Sequence, residues 1–259
     1  MKNEIKNNMK NERENLIYGR NAVTEAIRGG LGAEKILIQQ NIEGEGKKVF
    51  ALAKKAGIPV QAVPRFVLDK ETGGAAHQGV VAYTTEFAYA ELLDLYDAAR
   101  AAGEAPFLLA LDGIEDPHNL GSILRSAEGA GVHGVVIPKH RAASVTAAVM
   151  KVSAGAAAHI KVARVPNLTA ALADMKGHGV WIFGLEADGS PYREADYGGS
   201  GGLCLVIGSE GAGVSRLVRE ACDFLIAIPM HGQIGSLNAG SAAAVALFEI
   251  AARRGEGTA

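Results

Sequence analysis

The chain has 259 residues, more than one typical compact domain, with a formal net charge of −2 and 48% hydrophobic but only 5% aromatic residues. That balance excludes a disordered chain, gives any core an aliphatic make-up suited to layered α/β folds, and lacks the overall basic surplus usual in nucleic-acid-binding proteins. No run of about 18 apolar residues occurs, and the N-terminal stretch MKNEIKNNMKNEREN alternates charge with Asn, so a soluble, cytoplasmic protein with no membrane partner is expected.

The charge is unevenly spread. Residues 1–85 carry 13 Lys and Arg against 9 Asp and Glu, a surplus of +4 that leaves −6 for the remainder, so RNA binding in the N-terminal third is permitted without being demanded. In chain order, residues 1–14 read as a disordered polar tail. NAVTEAIRGG then places Ala22, Val23, Ala26 and Ile27 at helical spacing, with Gly29 and Gly30 to end the helix. KILIQ, PVQAV and VVAYT read as strands, with EGKKVFALAKKAG and RFVLDKE as helices between them, making residues 15–85 a small alternating α/β domain. Residues 86–105, Ala-rich and closed by Gly103 and Pro106, read as a linker helix.

Residues 106–259 form the second predicted domain. FLLALD, GVVIP, HIKVARV, VWIFGLE, LCLVIG and FLIAIPM are short, nearly continuous apolar strands, the pattern of a mostly parallel sheet covered on both faces. In such sheets ligands sit beyond the carboxyl ends of the strands. Cys204 and Cys222 lie inside apolar segments and read as small buried hydrophobes in a reducing compartment.

Three polar, Gly-rich clusters each follow a predicted strand: DGIEDPHNLGSILRSAEGAG, GSEGAG and HGQIGSLNAGSAAA. The second places Gly208, Gly211 and Gly213 as G-x-x-G-x-G, which is not the dinucleotide fingerprint. Glu210 in that loop would repel a pyrophosphate and suits a ligand bearing an amine, ribose hydroxyls or a sulfonium, which disfavours an NAD-dependent oxidoreductase. Asn119 either caps the helix that follows or serves a site, and Arg125 either pairs with Glu128 on the helix surface or engages a ribose or phosphate oxygen through its guanidinium fork. Ser236 and Asn238 face the same choice between helix cap and ligand contact. The spacing of the seven His residues gives no metal site.

Together the three clusters resemble the motifs of the SpoU/TrmH family of SPOUT RNA methyltransferases, in order and separation, across residues 107–254. IYGRNAVTEAIR and HQGVVA resemble the L30e-like substrate-binding domain of its RlmB-type members. The resemblance implies a trefoil-knotted α/β catalytic domain, a homodimer, S-adenosyl-L-methionine (AdoMet) as cofactor and transfer of its methyl group to an RNA ribose 2′-hydroxyl, with a guanosine of 23S rRNA as the favoured acceptor. By motif position it implies a catalytic centre of Asn119, Arg125, Glu210, Ser236 and Asn238, and cofactor contacts from Gly208, Ile228 and Leu237. The rival readings are the same chemistry on tRNA or another rRNA nucleotide, and a non-catalytic RNA-binding module, which would require broken motifs.

Overall fold

The computed structural model describes residues 16–28, 33–84, 87–197 and 201–256. The expected polar tail at residues 1–14, and Gly29 and Gly30 as helix stops, lie outside them. The chain falls into two units, one built on residues up to Ala88 together with Ser144–His159, the other on Tyr89–Ala143 and the chain from Ile160 onward.

In the first unit, β1 (Leu16–Tyr18), α1 (Arg20–Arg28), β2 (Ala33–Gln39), α2 (Glu45–Lys55), β3 (Val60–Val63), α3 (Arg65–Thr72) and β4 (Val80–Thr84) follow one another, and the sheet order is β1-β4-β2-β3. The α2 crossover makes β2 and β3 parallel, while β4 runs antiparallel to both β1 and β2. α1 buries Ala22, Val23, Ala26 and Ile27, the stripe its spacing demands. α3 contributes Leu68 to a cluster with Leu16, Leu37, Val63 and Val81. The two stretches that resemble a substrate-binding domain meet here: the Arg20 side chain donates through Nε to the Gln78 carbonyl at 3.0 Å. Buried His77 accepts the Gly79 N–H at Nδ1, so its Nε2 carries the proton and donates to Asp69 at 2.9 Å.

Ser144–His159, expected by position in the second domain, clusters with this first unit. Its helix α6 (Ala147–Val152) sets the Lys151 ammonium 4.2 Å from the centre of the Tyr18 ring. His159 at its end lies 3.1 Å from the Glu25 carboxylate.

The second unit contains α4 (Leu92–Ala102), β5 (Phe107–Asp112), α5 (Pro117–Gly129), β6 (Gly134–Pro138), β7 (Lys161–Val165), α7 (Leu168–Gly177), β8 (Val180–Pro191), β9 (Gly202–Gly208), α8 (Arg216–Glu220), β10 (Phe224–Ala227) and α9 (Ala239–Glu256). All six strands are parallel, in the order β10-β8-β9-β5-β6-β7. Alternate residues serve opposite faces. Leu108, Ala110, Val136, Ile182, Cys204 and Val206 pack against Leu95, Leu172, Met175 and Val218 of α4, α7 and α8. The opposite residues of these strands, such as Leu109, Leu111, Leu205 and Ile207, are buried on the side of α5 and α9, which pack together. The segment expected as a linker thus forms a core helix, fixed at its start by reciprocal capping between Glu91 and Asp94.

Both cysteines are free. Burial pushes the Cys204 thiol far above its ordinary range and that of part-buried Cys222 up to about 11, so both remain neutral thiols at neutral pH. Among the described residues no helix is long and apolar enough to cross a membrane.

Because Leu95 has no exposed surface and sits in the sheet core, Leu95→Ala should cost about 2–5 kcal/mol of unfolding free energy. Urea denaturation followed by circular dichroism measures this; a loss under about 0.5 kcal/mol, typical of surface substitutions, would show that α4 is a peripheral connector.

Candidate active site

The parallel sheet brings the ends of β5, β9 and β10 to one edge, and each of the three Gly-rich clusters leaves one of those strands. After β5, Asp116 ends the loop by accepting the His118 N–H at 3.0 Å, and Pro117 fills the first helical position, where no N–H is required. Asp116 therefore caps α5, and Asn119 is left for other work. Its Nδ2 donates to Glu210 Oε1 at 3.0 Å, and its Oδ1 accepts from Asn238 Nδ2 at 2.8 Å.

Asn238 does both things the sequence offered as alternatives. Its Oδ1 accepts the backbone N–H groups of Gly240 and Ser241 at 2.9 and 3.2 Å, capping α9. Its Nδ2 points the other way, reaching Glu210 Oε1 at 2.6 Å as well as Asn119. Glu210 Oε1 thus gathers three donors, the third being the Ala239 N–H at 3.4 Å near the positive end of α9. One residue from each cluster meets in this triangle, across sequence separations of 91 and 119.

The loop that presents Glu210 is unusually tight. Ser209 and Gly213 exchange backbone hydrogen bonds of 3.1 and 2.9 Å, closing the turn on itself. A Cβ on Gly208 would lie 2.0 Å from the Gly213 carbonyl carbon, so only glycine allows the two backbone segments to approach this closely. Gly213 has φ +65°, and a Cβ there would meet Glu186 Oε1 at 2.7 Å. Two carboxylates then hold the loop's exit: Glu186 Oε1 accepts the Val214 N–H, and Asp112 Oδ2 accepts the Ser215 N–H at 2.7 Å.

The sequence reading missed Glu186 and Asp112. Each is the carboxylate that ends an apolar run, in VWIFGLE and FLLALD, and that first charge after a buried run was the available signal. The Glu186 side chain is only 14% exposed, with Arg219 at 4.0 Å as its cationic neighbour.

Beside the triangle lies a cleft of about 730 Å³. Gly208, Glu210, Ile228, Ser236, Leu237 and Asn238 all line it, together with Glu186. Leu185, Ile207, Pro229 and Met230 supply apolar wall, and among the described residues no Lys, Arg or His contributes. A ligand bearing phosphates would face two carboxylates and no countercharge, whereas an apolar nucleoside with a positive group suits these walls.

Asn119 touches the triangle without lining the cleft, and Arg125 does neither. Arg125 lies six residues beyond Asn119 on α5, about 9 Å along the axis and about 120° around it. It is exposed, and the pair with Glu128 that a surface reading would expect does not form.

Residues 106–248 match the SpoU rRNA Methylase family, and residues 16–90 match a domain described as RNA 2′-O ribose methyltransferase substrate binding. YacO of Bacillus subtilis, named for the TrmH family of tRNA/rRNA methyltransferases, is 47% identical over 94% of this chain and 97% of its own. An AdoMet-bound rRNA methyltransferase from Sinorhizobium meliloti has 26% identity and TM-score 0.78, covering 95% of this chain and 89% of that one. The SpoU methyltransferase AviRb from Streptomyces viridochromogenes has 25% identity and TM-score 0.80, covering 97% and 93%.

Since the Gly208 contact is with the protein's own backbone, even Gly208→Ala should strain the loop without any ligand, lowering unfolding free energy by about 1–3 kcal/mol or more. Urea denaturation of the ligand-free protein reads this. Unchanged stability would mean that the loop has room for a side chain.

Proposed function

The chain belongs to the SpoU rRNA methylase family, and from that premise we propose that it transfers the methyl group of AdoMet to a ribose 2′-hydroxyl of RNA. The observation that carries the reading is the convergence of all three Gly-rich clusters on the Asn119–Glu210–Asn238 triangle, beside a cleft with two carboxylates and, among the described residues, no basic one.

The cleft fits AdoMet in size, since pockets for ligands of that class measure about 300–1,000 Å³. It fits in charge as well, because Glu186 and Glu210 complement a sulfonium and an ammonium. AdoMet supplies a methyl group on a positively charged sulfur, open to in-line displacement by an oxygen. Gly208, Ile228 and Leu237 hold the cofactor, largely through main chain and apolar contact; Leu237, 37% exposed, gains burial when the cleft is filled.

Asn119 and Asn238 fix the Glu210 carboxylate, and with Ser236 they orient the acceptor ribose. Arg125 engages the ribose oxygen or an adjoining phosphate. Its planar fork polarises and positions the hydroxyl, whose proton passes to solvent water as the oxygen takes the methyl group.

The match over residues 16–90 supports an RNA-recognition role for the N-terminal region, and the resemblance to RlmB-type members favours a guanosine of 23S rRNA as target, with tRNA as the alternative. The proposal includes the trefoil-knotted chain path, cytoplasmic action and a homodimer implied by the family resemblance. Val245 and Phe248 of α9 remain 37% and 51% exposed, apolar surface that a second copy would cover. Phe248 lies against Gly129 of the helix bearing Arg125, so a partner bound there would also approach Arg125.

Calorimetry should detect AdoMet binding by the purified protein, and no binding would overturn the proposal. Arg125→Ala should leave AdoMet affinity intact and slow single-turnover methylation by about a hundredfold or more. Arg125→Lys should lose most of the rate too, since it keeps the charge and removes the planar fork. A folded Lys variant working at the parent rate would remove Arg125 from the site.

A further inference from the structure

The cleft accounts for a small ligand, yet its walls offer nothing to hold a polyanion. The basic groups stand one strand away. Lys139, His140 and Arg141 follow one another in the loop that leaves β6, and all three are exposed. β6 is hydrogen-bonded to β5, so this loop emerges at the same sheet edge as the segment leading to Asn119.

The loop is held at both ends. The Lys139 N–H donates to the Val165 carbonyl at 2.8 Å, tying it to β7, and the Ala143 N–H donates to the Ile114 carbonyl at 2.8 Å, tying it to the β5–α5 connection. Arg164, opposite Ile137 on β7, supports it from the side by donating through Nη2 to the Lys139 carbonyl at 3.2 Å. Arg164 Nε is buried and, among the described residues, has no hydrogen-bond partner. Arg141 itself has φ +56°, a conformation costly for a long side chain and maintained only where its surroundings impose it.

Competing charge on the adjoining loop is mostly engaged. Asp112 and Asp116 already accept backbone N–H groups from Ser215 and His118, and Glu115 is the remaining carboxylate there. Three consecutive exposed basic residues braced against a fourth, beside the reacting edge, form a surface for successive phosphates.

We propose that the Lys139–Arg141 loop, braced by Arg164, binds the phosphodiester backbone of the substrate RNA next to the nucleotide presented to the cleft. The inference rests on the RNA methyltransferase reading above and extends it by naming where the strand lies. Lys139 and Arg141 each neutralise one phosphate, and the anchored loop fixes the register of the strand relative to Asn119 without reading its bases.

The test is RNA binding by the full chain, wild type against Lys139→Ala/Arg141→Ala, titrated over a range of salt concentrations. Removing two phosphate contacts should weaken binding about tenfold or more near 0.1 M salt and flatten the log–log salt slope by about 1.4–1.8. AdoMet affinity, read by calorimetry, should not change. Arg141→Gly is the second variant: glycine adopts φ +56° freely, so the loop keeps its shape while one charge is lost, and the slope should fall by about half as much. A double variant that retains both the RNA affinity and the salt slope of a binding-competent wild type would overturn the phosphate surface alone. A wild-type protein that binds AdoMet and fails to bind RNA would overturn the reading beneath it.

Discussion

The site depends on one close approach, that of the Gly208 backbone to the Gly213 carbonyl. No side chain fits between them, so the chain from Gly208 to Val214 folds back as a closed turn, with Ser209 and Gly213 bonded to each other and Glu186 holding the Val214 N–H. Val214 and Val218 anchor the exit of the turn in the sheet core. The result is a loop whose position is set from below by packing and from the side by a carboxylate, so Glu210 at its tip is delivered to a defined place. Desolvating the Glu186 carboxylate, only 14% exposed, is costly. The Val214 N–H donated to it offsets part of that cost, while the exposed Glu210 carboxylate is held by two amide donors.

Parallel strand order does the rest. β9 lies between β8 and β5, so the segments following β5 and β9 must leave side by side, and β10 completes the same edge beyond β8. Two of the helices that start there are capped from within their own segments: Asp116 caps α5 and Asn238 caps α9. Such capping contributes about 1 kcal/mol per helix. It also frees Asn119 and turns the Asn238 amide toward the carboxylate, so that Asn238 serves both the helix cap and the triangle.

Much of this was legible in the sequence because the second unit obeys simple rules. Apolar runs of β-branched and Leu residues became parallel strands, and polar clusters at their carboxyl ends became the site. Gly208, Glu210, Ile228, Ser236, Leu237 and Asn238, which the resemblance divides between a catalytic centre and cofactor contacts, line one cleft. What escaped was set by tertiary context. β1 spans three residues, too few to show alternation, and exists because β4 pairs with it. The helix at Leu92–Ala102 looked like a connector because its Ala-rich composition hides Leu95, whose burial only the assembled sheet defines. Ser144–His159 joined the first unit through Lys151 and His159, side chains whose partners lie more than 130 residues earlier in the chain. Glu186 escaped because its partner, the Val214 N–H, lies 28 residues further along the chain. Arg125 is the reverse case: its motif position groups it with Asn119, while helical geometry turns it to another face.

A methyl group carried on a ribose oxygen leaves a chemical signature in the RNA. RNA labelled by the enzyme with methyl-tritiated AdoMet can be hydrolysed with alkali, which cleaves a phosphodiester only where the neighbouring 2′-hydroxyl is free. The label should be recovered in alkali-resistant dinucleotides. Label recovered in mononucleotides would place the methyl on a base and rule out ribose methylation.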